Sequence, residues 1–127
     1  MNANKIRGEF GEESVRKSLL RMGYTIVATN YRKRCGEVDI VAVHGETVVF
    51  VEVKTRKFGS VVDGEIAVNH EKRNKIVKTA KAFLDDFPMF SDMNVRFDVA
   101  EVVVTTDKVP QLIEVVYYED AFDPAFL

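Results

Sequence analysis

The chain has almost none of the residues that cross-link small proteins. Cys35 is the one cysteine in 127 residues, so no disulfide framework can form within the chain, and a cysteine-based zinc site would lack three of its usual ligands. An inert thiol in a reducing compartment is the expectation. The two histidines, His44 and His70, stand too far apart for a helical two-His metal motif, and both are expected at the surface. Tryptophan is absent and proline occurs three times. No apolar run approaches the ~18 residues of a membrane span, and the N-terminal residues carry no apolar stretch. Repeats, linkers and low-complexity segments are missing. The expectation is a cytoplasmic protein with no membrane partner, a single domain over residues 1–127 with flexible tails at 1–8 and 124–127.

What is present is apolar bulk. Hydrophobic residues make up 46% of the chain, with nine Phe and four Tyr, which excludes a disordered polymer. At this length roughly two thirds of the unfolded surface is buried on folding, enough for a core without staples. The net charge is −2, which at first sight argues against a phosphate-bearing partner. Its distribution reverses that inference. Residues 1–81 hold 16 Lys+Arg against 10 Asp+Glu, a net of +6, and residues 82–127 hold 2 against 10, a net of −8. With a Debye length of ~8 Å at physiological salt, a phosphate on the basic side hardly senses the acids on the other. The basic residues form three clusters: Arg32-Lys33-Arg34; Lys54, Arg56 and Lys57; and Lys72, Arg73, Lys75, Lys78 and Lys81. Taken singly, each would serve as well as a solvated face.

Residues 9–22 place Val15, Leu19 and Met22 at helical spacing, with Gly23 where a helix end favours a left-handed residue. Residues 24–29 read as a short strand and residues 30–36 as a polar loop. Residues 38–43 and 48–54 flank His44-Gly45-Glu46-Thr47 and read as a hairpin. After a loop with Gly59 and Gly64, Asn69 is placed to cap a helix whose Ile76, Val77, Ala80, Phe83, Leu84 and Phe87 form one stripe, and Pro88 ends it. Residues 95–105 and 112–118 suggest a second hairpin. The order α-β-β-β-α-β-β predicts an α/β domain with a mixed central sheet of about five strands flanked by helices.

The hairpin arithmetic isolates one patch. If Val43 pairs with Val48, Asp39 falls opposite Glu52 with β-carbons ~5 Å apart, and period two puts Glu52 and Lys54 on one face. Converging carboxylates repel and lose hydration unless a cation lies between them. Mg²⁺ suits such hard oxygen donors, and a lysine beside it would orient or deprotonate an attacking water and offset phosphate charge. An exposed cross-strand salt bridge fits the same spacing.

Gly36-Glu37-Val38-Asp39, followed by Glu52-Val53-Lys54, resembles the Asp…Glu-X-Lys core of the PD-(D/E)XK nuclease superfamily, the restriction-endonuclease-like fold. Gly8, Gly11-Glu12, Gly23-Tyr24, Asn30-Tyr31-Arg32, Phe50 to Arg56, Lys72, Arg96-Phe97-Asp98 and Asp120-Ala121-Phe122 are similar, in order and spacing, to motifs of the bacterial YraN-like family of uncharacterised endonuclease-like proteins. The resemblance covers residues 8–123. It implies that Asp39 and Glu52 are metal ligands with the Val53 carbonyl as a third contact, that Lys54 is the catalytic lysine, and that Mg²⁺ or Mn²⁺ is the cofactor. Glu12 matches the acid that archaeal Holliday-junction resolvases of the superfamily place beside the metal, which implies a further metal ligand and catalytic residue; an acid in a helix's first turn has its own electrostatic reason to be there. Glu37 either shares the face of Asp39 or turns to solvent. Val38 stands where the superfamily's name has a proline, which is not a ligand. Arg56 and Lys72 are candidates for phosphate contacts or structural ion pairs, and Arg32, Lys33, Arg34, Lys57 and Arg73 for the rest of a nucleic-acid surface. Asp98 is expected to serve the fold, paired with Arg96.

The implied activity is metal-dependent hydrolysis of phosphodiester bonds in DNA, with RNA left open, and structure-selective by analogy with the resolvases. The alternative is a nucleic-acid-binding or protein-interaction module that keeps the nuclease fold without turnover. A blander option makes the acidic C-terminal region, with Asp85, Asp86, Glu119 and Asp120, a docking surface for a basic protein. A two-fold symmetric junction would call for a homodimer, with residues 109–118 as the pairing edge.

Overall fold

The computed structural model describes residues 2–60 and 69–123. One sheet runs in the order β1-β2-β3-β4-β5, with β1 at Thr25–Lys33, β2 at Gly36–His44, β3 at Thr47–Lys57, β4 at Asn94–Val104 and β5 at Leu112–Tyr118. Neighbours are antiparallel except β3 and β4, which are parallel. A parallel pair needs a crossover, and helix α2, His70–Asp86, supplies it. Helix α1, Ala3–Arg21, precedes the sheet. The architecture is the expected α/β one, a mixed five-stranded sheet flanked by two helices in the order α-β-β-β-α-β-β, with one added 3-10 turn at Pro88–Phe90.

Alternation along β3 builds a core on each face of the sheet. Val48 and Phe50 meet Ile76, Val77, Ala80 and Phe83 of α2, while Val49 and Val51 meet Val15 and Leu19 of α1. Phe50 lies 5.5 Å from Phe97 and 5.7 Å from Phe83, ring centre to ring centre. β4 is buried without a break from Phe97 to Val104, as a strand covered on both faces must be. His44 and His70 are exposed, as expected. No described helix is long and apolar enough to cross a membrane.

Three local expectations change. The first helix begins at Ala3 because the Asn2 side chain accepts a hydrogen bond from the Lys5 N–H at 2.7 Å, so residues 3–8, within the tail expected at 1–8, carry extra helix that no apolar periodicity announces. Residues 61–68, with Gly64, and the tail at 124–127 lie outside the described residues. Met22 caps the helix and is 49% exposed; the buried stripe is Gly11, Val15 and Leu19. A β-carbon on Gly11 would sit 1.9 Å from Thr55 Oγ1, so the missing side chain lets α1 seat directly on β3. Of residues 30–36, expected as a loop, only Arg34 and Cys35 form the turn. Tyr31, Arg32 and Lys33 continue β1 and pair with Val38, Glu37 and Gly36. Polar side chains disguise this strand because β1 is an edge strand whose outer end faces water.

One fully buried charge locks the frame. Asp98 accepts hydrogen bonds from Arg96 Nε at 2.9 Å and Nη2 at 2.8 Å, from the Asp120 N–H at 2.9 Å and from the Tyr117 hydroxyl. Arg96 Nη2 also donates to the Tyr24 hydroxyl at 2.7 Å. Asp98 therefore serves the fold, through Arg96 as expected and through two partners besides.

Candidate active site

The site forms where two strands part. The β2–β3 hairpin pairs Val43 with Val48 as expected and continues to Ile40 and Val51. Asp39 and Glu52 would be the next pair, but from there β2 follows β1 while β3 runs on beside β4 to Lys57. The Val53 N–H, which a continuing ladder would have bonded to backbone, donates instead to Asp39 Oδ2 at 2.7 Å. Asp39 sits in the fork and lines a cleft on each side. One, about 170 Å³, is walled by Gly36, Glu37, Glu52, Lys72, Lys75 and Ile76. The other, about 210 Å³, is walled by residues of α1 and β1, among them Glu9, Glu12, Thr29 and Asn30.

Glu52 is almost fully covered, its side chain 7% exposed. Its Oε1 lies 2.7 Å from Lys72 Nζ and 3.9 Å from Lys54 Nζ. Lys72 arrives there because Asn69 caps α2, accepting from the Lys72 N–H at 2.9 Å, which sets the first turn of the helix against β3. Glu37 pairs with Arg32 at 3.2 Å while lining the Glu52 cleft. Glu12 stands in the opposite cleft, against Asn30, whose backbone takes a φ of +51°; asparagine tolerates that conformation better than most residues.

Burial, reinforced by the charge of Glu52, pushes Asp39 up to about 7, against the pull of the Val53 hydrogen bond. Burial also lowers Lys54, and the neighbouring Lys72 ammonium lowers it further, so the neutral amine is within easier reach than in water. Lys72 is raised: burial is the largest single influence and opposes its charge, but the hydrogen bonds to Glu52 and Lys54 and the charges of Glu52 and Asp39 together outweigh it. Burial raises Glu12, with the charges of Glu37 and Glu52 adding and the Asn30 hydrogen bond opposing.

These donors suit a hard divalent cation. Asp39, which burial and the charge of Glu52 make reluctant to ionise, gains most from one, and the ammonium of Lys72 on Glu52 shows that the pocket admits positive charge. They do not form a closed cage: among the described residues no three His, Cys, Asp or Glu side chains group closely enough to hold an ion. Mg²⁺ and Mn²⁺ sites of this open kind take one or two carboxylates and complete the shell from water and substrate phosphate.

The basic residues divide by partner. Arg56 Nε donates to Glu101 at 2.6 Å, Lys33 pairs with Asp86 at 2.7 Å beside the Tyr31 hydroxyl, and Arg73 lies 5.4 Å above the Phe122 ring. Arg32 and Lys72 are bound to Glu37 and Glu52. Arg34 and Lys57 are exposed and carry no ion pair among the described residues. The grip of Lys72 on Glu52 joins residues twenty positions apart across the crossover, which no local period can announce. The left-handed asparagine at 30 had only its neighbourhood of polar residues as a signal.

The model of the uncharacterised protein family UPF0102 matches residues 11–102, a span that includes Glu12, Asp39, Glu52, Lys54 and Lys72. A UPF0102 protein of Treponema pallidum is 39% identical over 121 residues, 94% of each chain. One of Geotalea daltonii is 39% identical over 98% of this chain and 95% of its own. One of Geobacter sulfurreducens is 42% identical over 86% of this chain and 84% of its own.

Proposed function

This chain belongs to the UPF0102 family, and from that premise we propose that it is a metal-dependent endonuclease hydrolysing phosphodiester bonds in DNA. The observation that carries the reading is the fork: a half-buried Asp39 and a buried Glu52 whose charge raises it, with two lysine side chains converging on Glu52. Asp39 and Glu52 would hold Mg²⁺ or Mn²⁺, with the Val53 carbonyl as a further contact, and the ion when bound would supply Lewis acidity at a phosphate oxygen. Lys54, its ammonium disfavoured, orients the attacking water and moves its proton. Glu12 acts from the far side of the fork through its charge on Asp39. Arg34 and Lys57, the basic candidates without an ion pair among the described residues, contact backbone phosphates. Selectivity for branched DNA, a cytoplasmic location and a homodimer paired through the β5 edge belong to the same reading.

The test is incubation with branched, nicked, single-stranded and duplex DNA, with RNA alongside, in Mg²⁺, Mn²⁺ or chelator. Cleavage is expected only with metal, and Asp39→Asn should lower it by about 10²-fold or more. If nothing is cut, or if Asp39→Asn cuts as well as the native chain, the reading fails. The lack of a third clustered ligand among the described residues favours a second reading, a binding module without turnover. That reading expects salt-sensitive DNA binding unchanged by chelation.

A further inference from the structure

Lys72 stands where its own helix does not want it. It lies in the first turn of α2, three residues after the cap Asn69, and unpaired N–H groups make that end of a helix locally positive, favouring acids and disfavouring lysine. The compensation comes from outside the helix, from Glu52 at 2.7 Å. The two partners are unequal. Glu52 is fixed in the interior of β3 with 7% of its side chain exposed, whereas 42% of the Lys72 side chain is exposed, so a flexible stem leads from the pair straight to water. Lys54 approaches the same oxygen only to 3.9 Å, and Lys75, across the cleft wall, is turned to Glu71 at 3.6 Å. The contact of Lys72 is thus the one close neutralisation of Glu52 among the described residues, and it can be undone without moving backbone.

We infer that Lys72 is an exchangeable counter-ion: it neutralises Glu52 while no divalent cation is bound, and it is released to grip the substrate phosphate when one binds. The inference rests on the metal site proposed above and adds an order of events to it. An ammonium 2.7 Å from Oε1 would compete for that carboxylate with any cation that Glu52 helped to hold, because two positive charges crowded onto one oxygen repel. Once displaced, Lys72 remains on the wall of the 170 Å³ cleft with Lys75, beside the place where phosphate oxygens would complete the metal's shell. Lys72 is then a substrate-binding residue only in the loaded protein, and phosphate and cation bind cooperatively.

Mn²⁺ binding measured by calorimetry on the intact protein, on Lys72→Gln and on Lys54→Gln tests this. Removing the competitor should tighten Mn²⁺ about tenfold in Lys72→Gln, and by clearly less in Lys54→Gln, whose ammonium is farther away. In the native protein, Mg²⁺ titration followed by nitrogen-15 resonances of the lysine ammonium groups should move the Lys72 signal most. If the native protein binds Mn²⁺ and Lys72→Gln binds it no more tightly, or if saturating Mg²⁺ leaves the Lys72 signal unmoved, the exchange is overturned and the metal site stands. If neither native protein nor variants bind the ion, both fall. If the ion binds and displaces Lys72 yet no nucleic acid is cut, the exchange stands and the endonuclease reading falls.

Discussion

Two acidic centres lie within one residue of each other in the sheet, since Val51 pairs with Asp98 and Glu52 follows it, yet they are built on opposite terms. Asp98 is 0% exposed and fully answered, by a two-point grip from Arg96, by the Tyr117 hydroxyl and by a backbone N–H. Burial, with its own hydrogen bond to Asp98 adding, holds the phenol of Tyr117 well above its ordinary range. Across the sheet, Asp39 has one N–H donor and a repelling neighbour, and Glu52 depends on a lysine free to leave. A buried charge whose every lone pair is met rigidifies a fold, and one left partly unmet holds free energy that a ligand can release. The contrast marks the first centre as a structural one and supports the proposed chemistry at the second.

The sharpest way to break that contrast is Asp98→Ala, which leaves the half-buried Arg96 and Tyr117 without their shared partner. A loss of about 3–5 kcal/mol is expected in chemical denaturation, with Mn²⁺ affinity unchanged in whatever fraction remains folded. A loss under about 1 kcal/mol would erase the distinction between the two centres.

Asp39→Asn should do the reverse. With Asp39 raised from 3.8 to about 7, the folded chain holds a proton between those values that the unfolded chain has released. Stability therefore falls as pH rises through that window, and the penalty is complete above it. The carboxamide does not titrate and keeps an oxygen for the Val53 N–H, so the variant should gain roughly 1–3 kcal/mol at pH 8 in chelator and show a flatter stability profile from pH 4 to 7. Equal slopes for native protein and variant would show that Asp39 carries no such penalty.

The smallest effect sharpens the boundary between the two roles among the basic residues. Arg34→Gln and Lys57→Gln should leave stability within about 0.5 kcal/mol. Each should reduce the salt dependence of DNA binding by about one unit of logarithmic slope. Arg56→Gln, which breaks the pair with Glu101, should lower stability by about 1 kcal/mol and leave that slope unchanged.

Legibility in the sequence followed the range of the interactions. The apolar run from Val48 to Val51, the Gly45 turn and the Val43–Val48 pairing are local, and simple counting along the hairpin was enough to bring Asp39, Glu52 and Lys54 together. The Asn69 cap was readable for the same reason. Tertiary context hid the rest. β1 extends through Arg32 and Lys33 because a strand pairs with its neighbour whatever its exposed side chains, and α1 gains turns from a cap rather than from periodicity. Gly11 matters through Thr55, and Lys72 through Glu52, each reaching across the fold. Even the fork at Asp39 was invisible, since pairing arithmetic assumes that a ladder continues.

The premature end of that ladder leaves the Val53 amide bonded to a carboxylate instead of a carbonyl. Its proton resonance and its exchange with solvent accordingly follow the charge on Asp39 and any ion that settles there. The protein carries a native gauge of its own site, readable at one backbone position without label, substrate or turnover.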